Sequence, residues 1–419
     1  MNQTDIAANT LAGHAAGAAG RPERLLVLTL AGIQFSHILD FMVMMPLGPA
    51  LIEALAIDTR QFALLVSIYT LAAAASGLVA AAFVDLFGRR GLLLTLFALF
   101  ILATLGCALA PDYATLLLSR TLAGAFGGVL AALLQTIIGD AIPFERRARA
   151  SGAVMSATSL AAVLGVPGAL TLAAAFGWQW PFAAIATVAA LFWGLAARHV
   201  PRLPPHRAGP GSRTQVVAGM SAVLRDRNHR LALLFMALGA FSTFTVMPYL
   251  TLYLTRNVGL AAEDVPLVYV LGGVAGFLVA RWIGGLADRW GKVPVYRAVA
   301  LFSVAPILLQ THLPPLALGW ILLCSTLFLT LGPGRAVPAM AITISAAQPP
   351  LRGSFLSLCS SSQQLACGIA AYVGGRLIVE GPDGALDGYG AAGWLAVALT
   401  GATMLLAGRI RAHVRPPAA

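Results

Sequence analysis

Phe83 to Arg90 (FVDLFGRR) finds an echo in Leu286 to Val293 (LADRWGKV). In each stretch an aspartate, Asp85 or Asp288, stands three residues before a glycine that basic residues follow, and each lies between two long apolar runs. The copies are about two hundred residues apart, which describes a membrane protein built from two related halves.

Composition agrees. Of 419 residues, 59% are hydrophobic and only 10% charged, and the mean hydropathy is +0.84. A soluble domain of this size needs far more surface charge. Divided at its charged or Pro-rich breaks, the chain leaves twelve apolar segments, each near the ~20 residues that cross a bilayer as a helix. They run Leu25–Leu47, Gln61–Phe83, Gly91–Ala110, Thr115–Gly139, Ala150–Ala174, Trp180–Ala196, Leu231–Leu254, Val265–Ala287, Pro294–His312, Leu316–Ile342, Gly353–Val379 and Gly390–Gly408. None shows the alternation of a barrel strand. The expected fold is an all-α integral membrane protein with twelve transmembrane helices in two six-helix bundles.

The expected organisation is a tail over 1–24, a bundle over 25–197, a polar linker over 198–230, a second bundle over 231–408 and a tail over 409–419. The first tail has no basic start leading into an apolar core, so it reads as a cytoplasmic tail and not a signal peptide. Short loops rich in Arg and Lys stay inside. With both termini in the cytoplasm, Arg89 and Arg90, Arg146, Arg147 and Arg149, Arg289 and Lys292, Arg352 and the basic linker all fall on that side, whereas the opposite loops hold only Arg60 and Arg256 among several acids. The expected location is a bacterial cytoplasmic (inner) membrane, and anionic lipid headgroups account for the net charge of +11 without nucleic acid. The VVAGMSAVL portion of the linker suits an amphipathic surface helix.

Cys107, Cys324, Cys359 and Cys367 fall inside apolar segments without metal spacing, so no metal site and no cofactor are expected. Nor does any HExxH, GxSxG or phosphate-loop arrangement appear, so the chain is read as no enzyme. Inside the membrane, Gln34, His37 and Asp40 are spaced by three in the first helix, on neighbouring parts of one face. Asp40 is the carboxylate set well within a predicted helix, where its charge is costly unless paired or neutralised. Arg120 is the candidate partner. At ~1.5 Å rise per residue, Asp40 lies ~22 Å from the inner end of its helix and Arg120 ~8 Å from the outer end of its own. In a hydrocarbon layer ~30 Å thick, both reach the same depth. His37 either joins this pair or packs as a satisfied core residue.

The repeated loops resemble those of the major facilitator superfamily, whose loop after the second helix reads GxLADRxGRRxxL. Ala81, Asp85, Gly88, Arg89 and Arg90 stand at the equivalent places, and Gly284, Asp288, Arg289, Gly291 and Lys292 in the second half; Ala81 replaces a glycine and Leu86 a basic residue. Arg120 and Gly124 resemble the fourth-helix RxxQG motif, with Ala123 at the glutamine. In relatives that arginine lines the central cavity and is linked to proton coupling. Gly165, Val166, Pro167 and Gly168 resemble, in altered order, the GPxxGG signature of the drug/proton antiporter branch, which handles multidrug or sugar efflux.

The resemblance implies a secondary active transporter, proton-coupled and exporting a small amphipathic molecule or sugar by alternating access. Expected partners are that solute, protons and lipids, with the protein a monomer. Asp40, Arg120 and His37 are expected to couple protons. Gln34, Met44, Tyr249, Tyr253 and one of Gln363 and Gln364 are expected at the substrate cavity. Asp85, Arg89, Arg90, Asp288, Arg289, Lys292, Gly165 and Pro167 are expected at moving interfaces. Arg335, Arg281 and Arg376 are expected nearer a membrane face, where long side chains snorkel. The competing readings are proton-coupled uptake or facilitated diffusion of a metabolite and, from another class, a receptor or scaffold without turnover.

Overall fold

The computed structural model describes residues 20–81, 87–202, 212–382 and 384–413. Eleven helices among them are long and apolar enough to cross a membrane: α1 Pro22–Val43, α2 Thr59–Ala80, α3 Arg89–Ala108, α4 Tyr113–Ala141, α5 Phe144–Phe176, α6 Gln179–His199, α7 Arg227–Arg256, α8 Ala262–Trp290, α9 Lys292–Thr311, α10 Leu318–Ala346 and α12 Tyr389–Ala407. The twelfth, α11 Arg352–Leu377, contains the SSSQQ run and is the least apolar. Only a helix satisfies its own backbone within a lipid layer, which is why every apolar run takes this form. Leu102, Trp282, Phe302 and Leu405 are each more than 60% exposed, an arrangement suited to hydrocarbon and not to water.

Three spans depart from continuous helices. α5 contains a π turn at Ala161–Gly165, α7 tightens to a 3-10 turn at Met247–Tyr249, and α10 breaks at Arg335, between Leu318–Gly334 and Ala336–Ala346. Each break lies beside Pro or Gly, which loosens the local hydrogen-bond ladder. The first helix ends at Val43, earlier than its apolar run, and a short helix Gly48–Leu55 follows Pro46.

The two halves pack by the same scheme. α1 meets α5 and α6, α2 meets α4, and α3 meets α6; correspondingly α7 meets α11 and α12, α8 meets α10, and α9 meets α12. Two seams join the halves, α2 against α11 and α5 against α8, and these are again equivalent. Small residues allow both approaches. A Cβ on Gly375 of α11 would stand 2.2 Å from that of Ala63 on α2, and one on Gly273 of α8 would stand 3.1 Å from the Ala162 carbonyl of α5. A helix over Ser212–Arg225 occupies the linker and packs on α11, which defines a linker face and an opposite far face.

On the far face, β1 (Val379–Glu380) pairs antiparallel with β2 (Leu386–Asp387) and presents Glu380 to both halves. Thr59 of α2 donates its hydroxyl to Glu380 Oε1 at 2.6 Å, and Arg256 of α7 donates to the same oxygen at 2.8 Å. Partial burial opposes the charge on Glu380, but the bonds from Thr59 and Arg256 together outweigh it and hold the carboxyl below its usual range. A depressed folded value means that the latch is fully present above the unfolded value of ~4.3 and is lost as pH falls through the folded one. Glu380→Gln is therefore expected to raise labelling of a Met247→Cys reporter from the far face about two- to fivefold at pH 7, the effect of ~0.5–1 kcal/mol. The difference from the parent should persist at pH 6, because the depressed folded value keeps Glu380 charged there. Equal rates at pH 7 would show that Glu380 does not hold this face shut.

Candidate functional site

Asp40 and Arg120 meet. Arg120 Nη1 of α4 donates to Asp40 Oδ2 of α1 at 2.9 Å and to the Asp40 carbonyl at 3.2 Å, with both side chains fully buried. The guanidinium lies over the ring of Tyr69 from α2, 4.4 Å from its centroid, so a cation–π contact shares the charge. The Thr104 hydroxyl of α3 faces the same carboxylate. His37 sits one turn toward the linker face, between Tyr69 and Phe100, with ring centroids 6.5 and 6.1 Å away. Both imidazole nitrogens of His37 and the Tyr69 hydroxyl are buried without a hydrogen-bond partner. Buried polar atoms are ordinarily satisfied, so a cluster of unsatisfied ones beside a buried ion pair marks this as a candidate site.

Glycines make this contact possible. A Cβ on Gly124 would stand 2.2 Å from the Tyr69 carbonyl oxygen, and one on Gly127 would stand 2.7 Å from His37 Cδ2. The small residues of α4 thus bring α2 close enough for Tyr69 to reach Arg120.

A cavity of about 430 Å³ lies between the halves. It runs from Ile38 and Met42 of α1 to Met236, Ala280 and Tyr296, near the linker-face ends of α7, α8 and α9. On the far side it is closed by ring contacts across the halves, Phe41 with Phe244 at 5.9 Å and Phe62 with Tyr249 at 6.4 Å. Asp40, Arg120 and His37 do not line it. Phe41 lines the cavity, and its ring lies 5.4 Å from that of Tyr69, which in turn covers Arg120.

The expected cavity residues divide. Gln363 lines the cavity and Gln364 does not, as the angle between adjacent helical positions dictates. Met42 and Met45 line it, three residues apart, whereas Met44 is buried away from it. Gln34 is buried away from the cavity. Tyr249 and Tyr253 also point elsewhere, because their hydroxyls find the carbonyls of Ala371 and Leu313 and the rings close the far side. The tyrosines at the cavity are Tyr269 and Tyr296.

Arg335 is not near a membrane face. It is 4% exposed, at the break of α10 beside the cavity. Its flanking GPGRAVP sequence carried the signal, since a helix interrupted in mid-membrane is tolerated where it lines a cavity.

The loop motifs lie at the linker face. Arg89 pairs with Asp140 at the end of α4, 3.3 Å away, a partner that the motif does not contain. Arg90 donates to the Ala197 carbonyl of α6. Arg146 holds Glu23 at 3.1 Å, tying α5 to α1. Asp85 lies outside the described residues. In the second half, Asp288 and Arg289 are exposed, and Lys292 donates to the Ala341 carbonyl at 3.3 Å. Gly165 ends the π turn of α5, where a Cβ would stand 2.8 Å from Leu39 of α1, and Pro167 opens the next helical piece.

Two pseudo-symmetric bundles of six helices, with a cavity between them and broken helices around it, define the class of alternating-access membrane carrier folds. The chain belongs to the Major Facilitator Superfamily, whose sequence model matches residues 30–371. It is similar to the inner membrane transport protein YdhP of Escherichia coli (strain K12), 32% identical over 207 residues, which are 48% of this chain and 50% of that protein. The chain thus spans about half the length of that relative. Among solved structures it resembles a D-xylose-proton symporter, with a TM-score of 0.73 at 18% identity, covering 92% of this chain and 97% of the other. It also resembles a bacterial homologue of the human lysosomal transporter Spinster in an inward-facing, occupied conformation, with a TM-score of 0.70 at 15% identity, covering 94% and 98%. Likeness at such identities is a likeness of fold. It spans carriers of different substrates and selects no branch of the superfamily.

Proposed function

We propose that the protein is a secondary transporter of a bacterial inner membrane, with both termini in the cytoplasm, exporting a small amphipathic molecule in exchange for protons. The observation that carries this reading is the Asp40–Arg120 pair, buried among unsatisfied polar atoms and linked through the rings of Tyr69 and Phe41 to the cavity wall. A proton on Asp40 cancels its charge and weakens its hold on Arg120, which loosens α1 against α4. Because Phe41 follows Asp40 directly, that change reaches the cavity wall and its contact with Phe244 in the other half. The halves then rock about the α2–α11 and α5–α8 seams, and loss of the proton to the other side resets them.

Several features support the remaining parts. The basic residues of the linker face suit the cytoplasm, and a far face closed by Glu380 then makes this the inward-facing state. The mainly apolar cavity wall favours an amphipathic solute over a sugar, which needs many hydrogen bonds. Membership of a transporter superfamily supports a non-enzymatic role.

The test is proton movement driven by solute in proteoliposomes, with the parent protein and Asp40→Asn compared across amphipathic anions, amphipathic cations and sugars. Coupled movement that disappears in Asp40→Asn is the expected result. Equal solute flux in both, without protons, would replace exchange by facilitated diffusion, and accumulation in the direction of proton entry would replace it by uptake.

A further inference from the structure

The cavity holds an arginine for which the proton-coupling pair has no use. Arg335 is buried in the second-half wall of the cavity, and its hydrogen bonds go to three neutral hydroxyls. Nη1 donates to Thr400 Oγ1, and Nη2 donates to Ser242 Oγ at 2.8 Å and to Thr243 Oγ1 at 2.9 Å. Nε is buried without a partner. Among the described residues no carboxylate lies within ion-pair distance of it, whereas Arg120, equally buried in the other half, has Asp40.

The contrast matters because the two arginines share a physical problem. A guanidinium stays charged in any protein environment. Moving such a cation out of water costs several kcal/mol unless an opposite charge accompanies it. Hydroxyls orient the fork of Arg335 but bring no negative charge. Thr243 and Arg335 both line the cavity, and among the described residues around it no other is charged: neither Asp nor Glu is found there. Apart from neutral polar groups on Thr158, Ser159, Thr330, Gln363, Tyr269 and Tyr296, its remaining surface is mainly soft and apolar, with Phe41, Met42, Met45, Phe244, Met247 and Phe277. The electrostatic character of the whole space is therefore set by one uncompensated positive charge on its second-half wall, facing apolar rings and methionines of both halves.

We infer that the cavity takes an amphipathic organic anion, whose acidic group replaces the missing counter-charge at Arg335 while its apolar body lies against the phenylalanine and methionine wall. The inference rests on the transport reading and narrows its substrate class. An amphipathic cation has no carboxylate to meet in this cavity and is repelled by Arg335. A carboxylate approaching from the cavity gains a charge-assisted bond to a guanidinium that is itself 4% exposed, and such a bond is stronger there than at an open surface.

The test compares three probes of one shape, 4-butylbenzoate, 4-butylbenzamide and 4-butylbenzylammonium, titrated calorimetrically into the purified full chain in lipid nanodiscs. The parent should bind the benzoate at least tenfold more tightly than the amide, with the ammonium weakest. Arg335→Gln should lower benzoate affinity about tenfold and leave the amide unchanged, while Arg335→Lys, which keeps the charge, should retain most of the preference for the acid. The Lys variant also guards against misfolding of the Gln variant, as does the unchanged binding of the amide. Equal binding of acid and amide by the parent, tightest binding of the ammonium, or no binding of any of the three would overturn the proposal. So would an acid preference that survives in Arg335→Gln. Flux of the same probes separates this failure from that of the transport reading. Benzoate that binds at Arg335 but is not moved across proteoliposomes leaves the anion site standing without transport. Proton-linked movement of the ammonium without benzoate binding leaves transport standing without the anion site.

Discussion

Arg120→Ala is expected to lower the thermal unfolding midpoint of the purified protein by several degrees, and adding Asp40→Asn to recover most of that loss. The reason is the asymmetry of buried ion pairs. A pair such as Asp40–Arg120, fully enclosed and bonded at 2.9 Å, adds little net stability over a neutral replacement because both ions gave up hydration. Removing one partner is different. The survivor keeps the desolvation cost without the attraction, at about 3–5 kcal/mol. Truncating Arg120 also empties the face of Tyr69, which the guanidinium covers at 4.4 Å. Replacing Asp40 by Asn in the same chain removes the stranded carboxylate and leaves an amide that still accepts hydrogen bonds. The four proteins form a double-mutant cycle, and a coupling of about 2 kcal/mol or more is expected between residues in direct contact. Additive losses would mean that the pair is not a unit, and the proposed proton switch would lose its basis.

The second large effect is expected from Gly124→Ala. Most added methyl groups in a membrane helix meet a side chain that can rotate away. At Gly124 the new Cβ would stand 2.2 Å from the carbonyl oxygen and 2.7 Å from the Cα of Tyr69, which are backbone atoms of α2. They move only if the helix moves. One turn further along, a Cβ on Gly128 would stand 2.6 Å from the Cα of Ala73, so the whole α2–α4 crossing is set to this spacing. Forcing it apart is expected to cost ~3 kcal/mol, at the upper end of overpacking penalties, and to draw Tyr69 off Arg120. Reduced yield of monodisperse protein and a lower unfolding midpoint are the readouts. Gly152→Ala on α5, where an added Cβ meets nothing within 4 Å, is the matched control and should be neutral or slightly stabilising. If both substitutions behave alike, close approach at Gly124 is not what holds α2 to α4.

Much of this architecture was legible because a bilayer enforces simple rules. A run of apolar residues of the right length must become a helix, so segment count and order follow from hydropathy. The Asp40–Arg120 contact was also within reach, since rise per residue gives depth and an isolated carboxylate needs a cation at the same depth. Other parts were not legible. Depth along a helix says nothing about its rotation or its neighbours. Tyr249 and Tyr253 have the chemistry of a pocket lining, but their hydroxyls are taken by carbonyls of α11 and of the turn after α9, while Tyr269 and Tyr296 reach the cavity from helices that gave no such hint. Arg335 is the clearest instance. By composition alone it read as a cation near a membrane face, because sequence does not reveal that hydroxyls from α7 and α12 converge on it.

What the sequence by itself determined is whatever depends on one helix at a time: the twelve crossings, the repeated loops that mark two halves, the bias of basic residues to one face and the matching depth of Asp40 and Arg120. Only the tertiary structure decided which charges are paired. Pairing depends on how far apart two helix axes lie and how each is rotated, and glycines such as Gly124 and Gly375 set those through contacts with chain tens to hundreds of residues away. It gave Arg120 an aspartate and left Arg335 with hydroxyls beside a mainly apolar cavity.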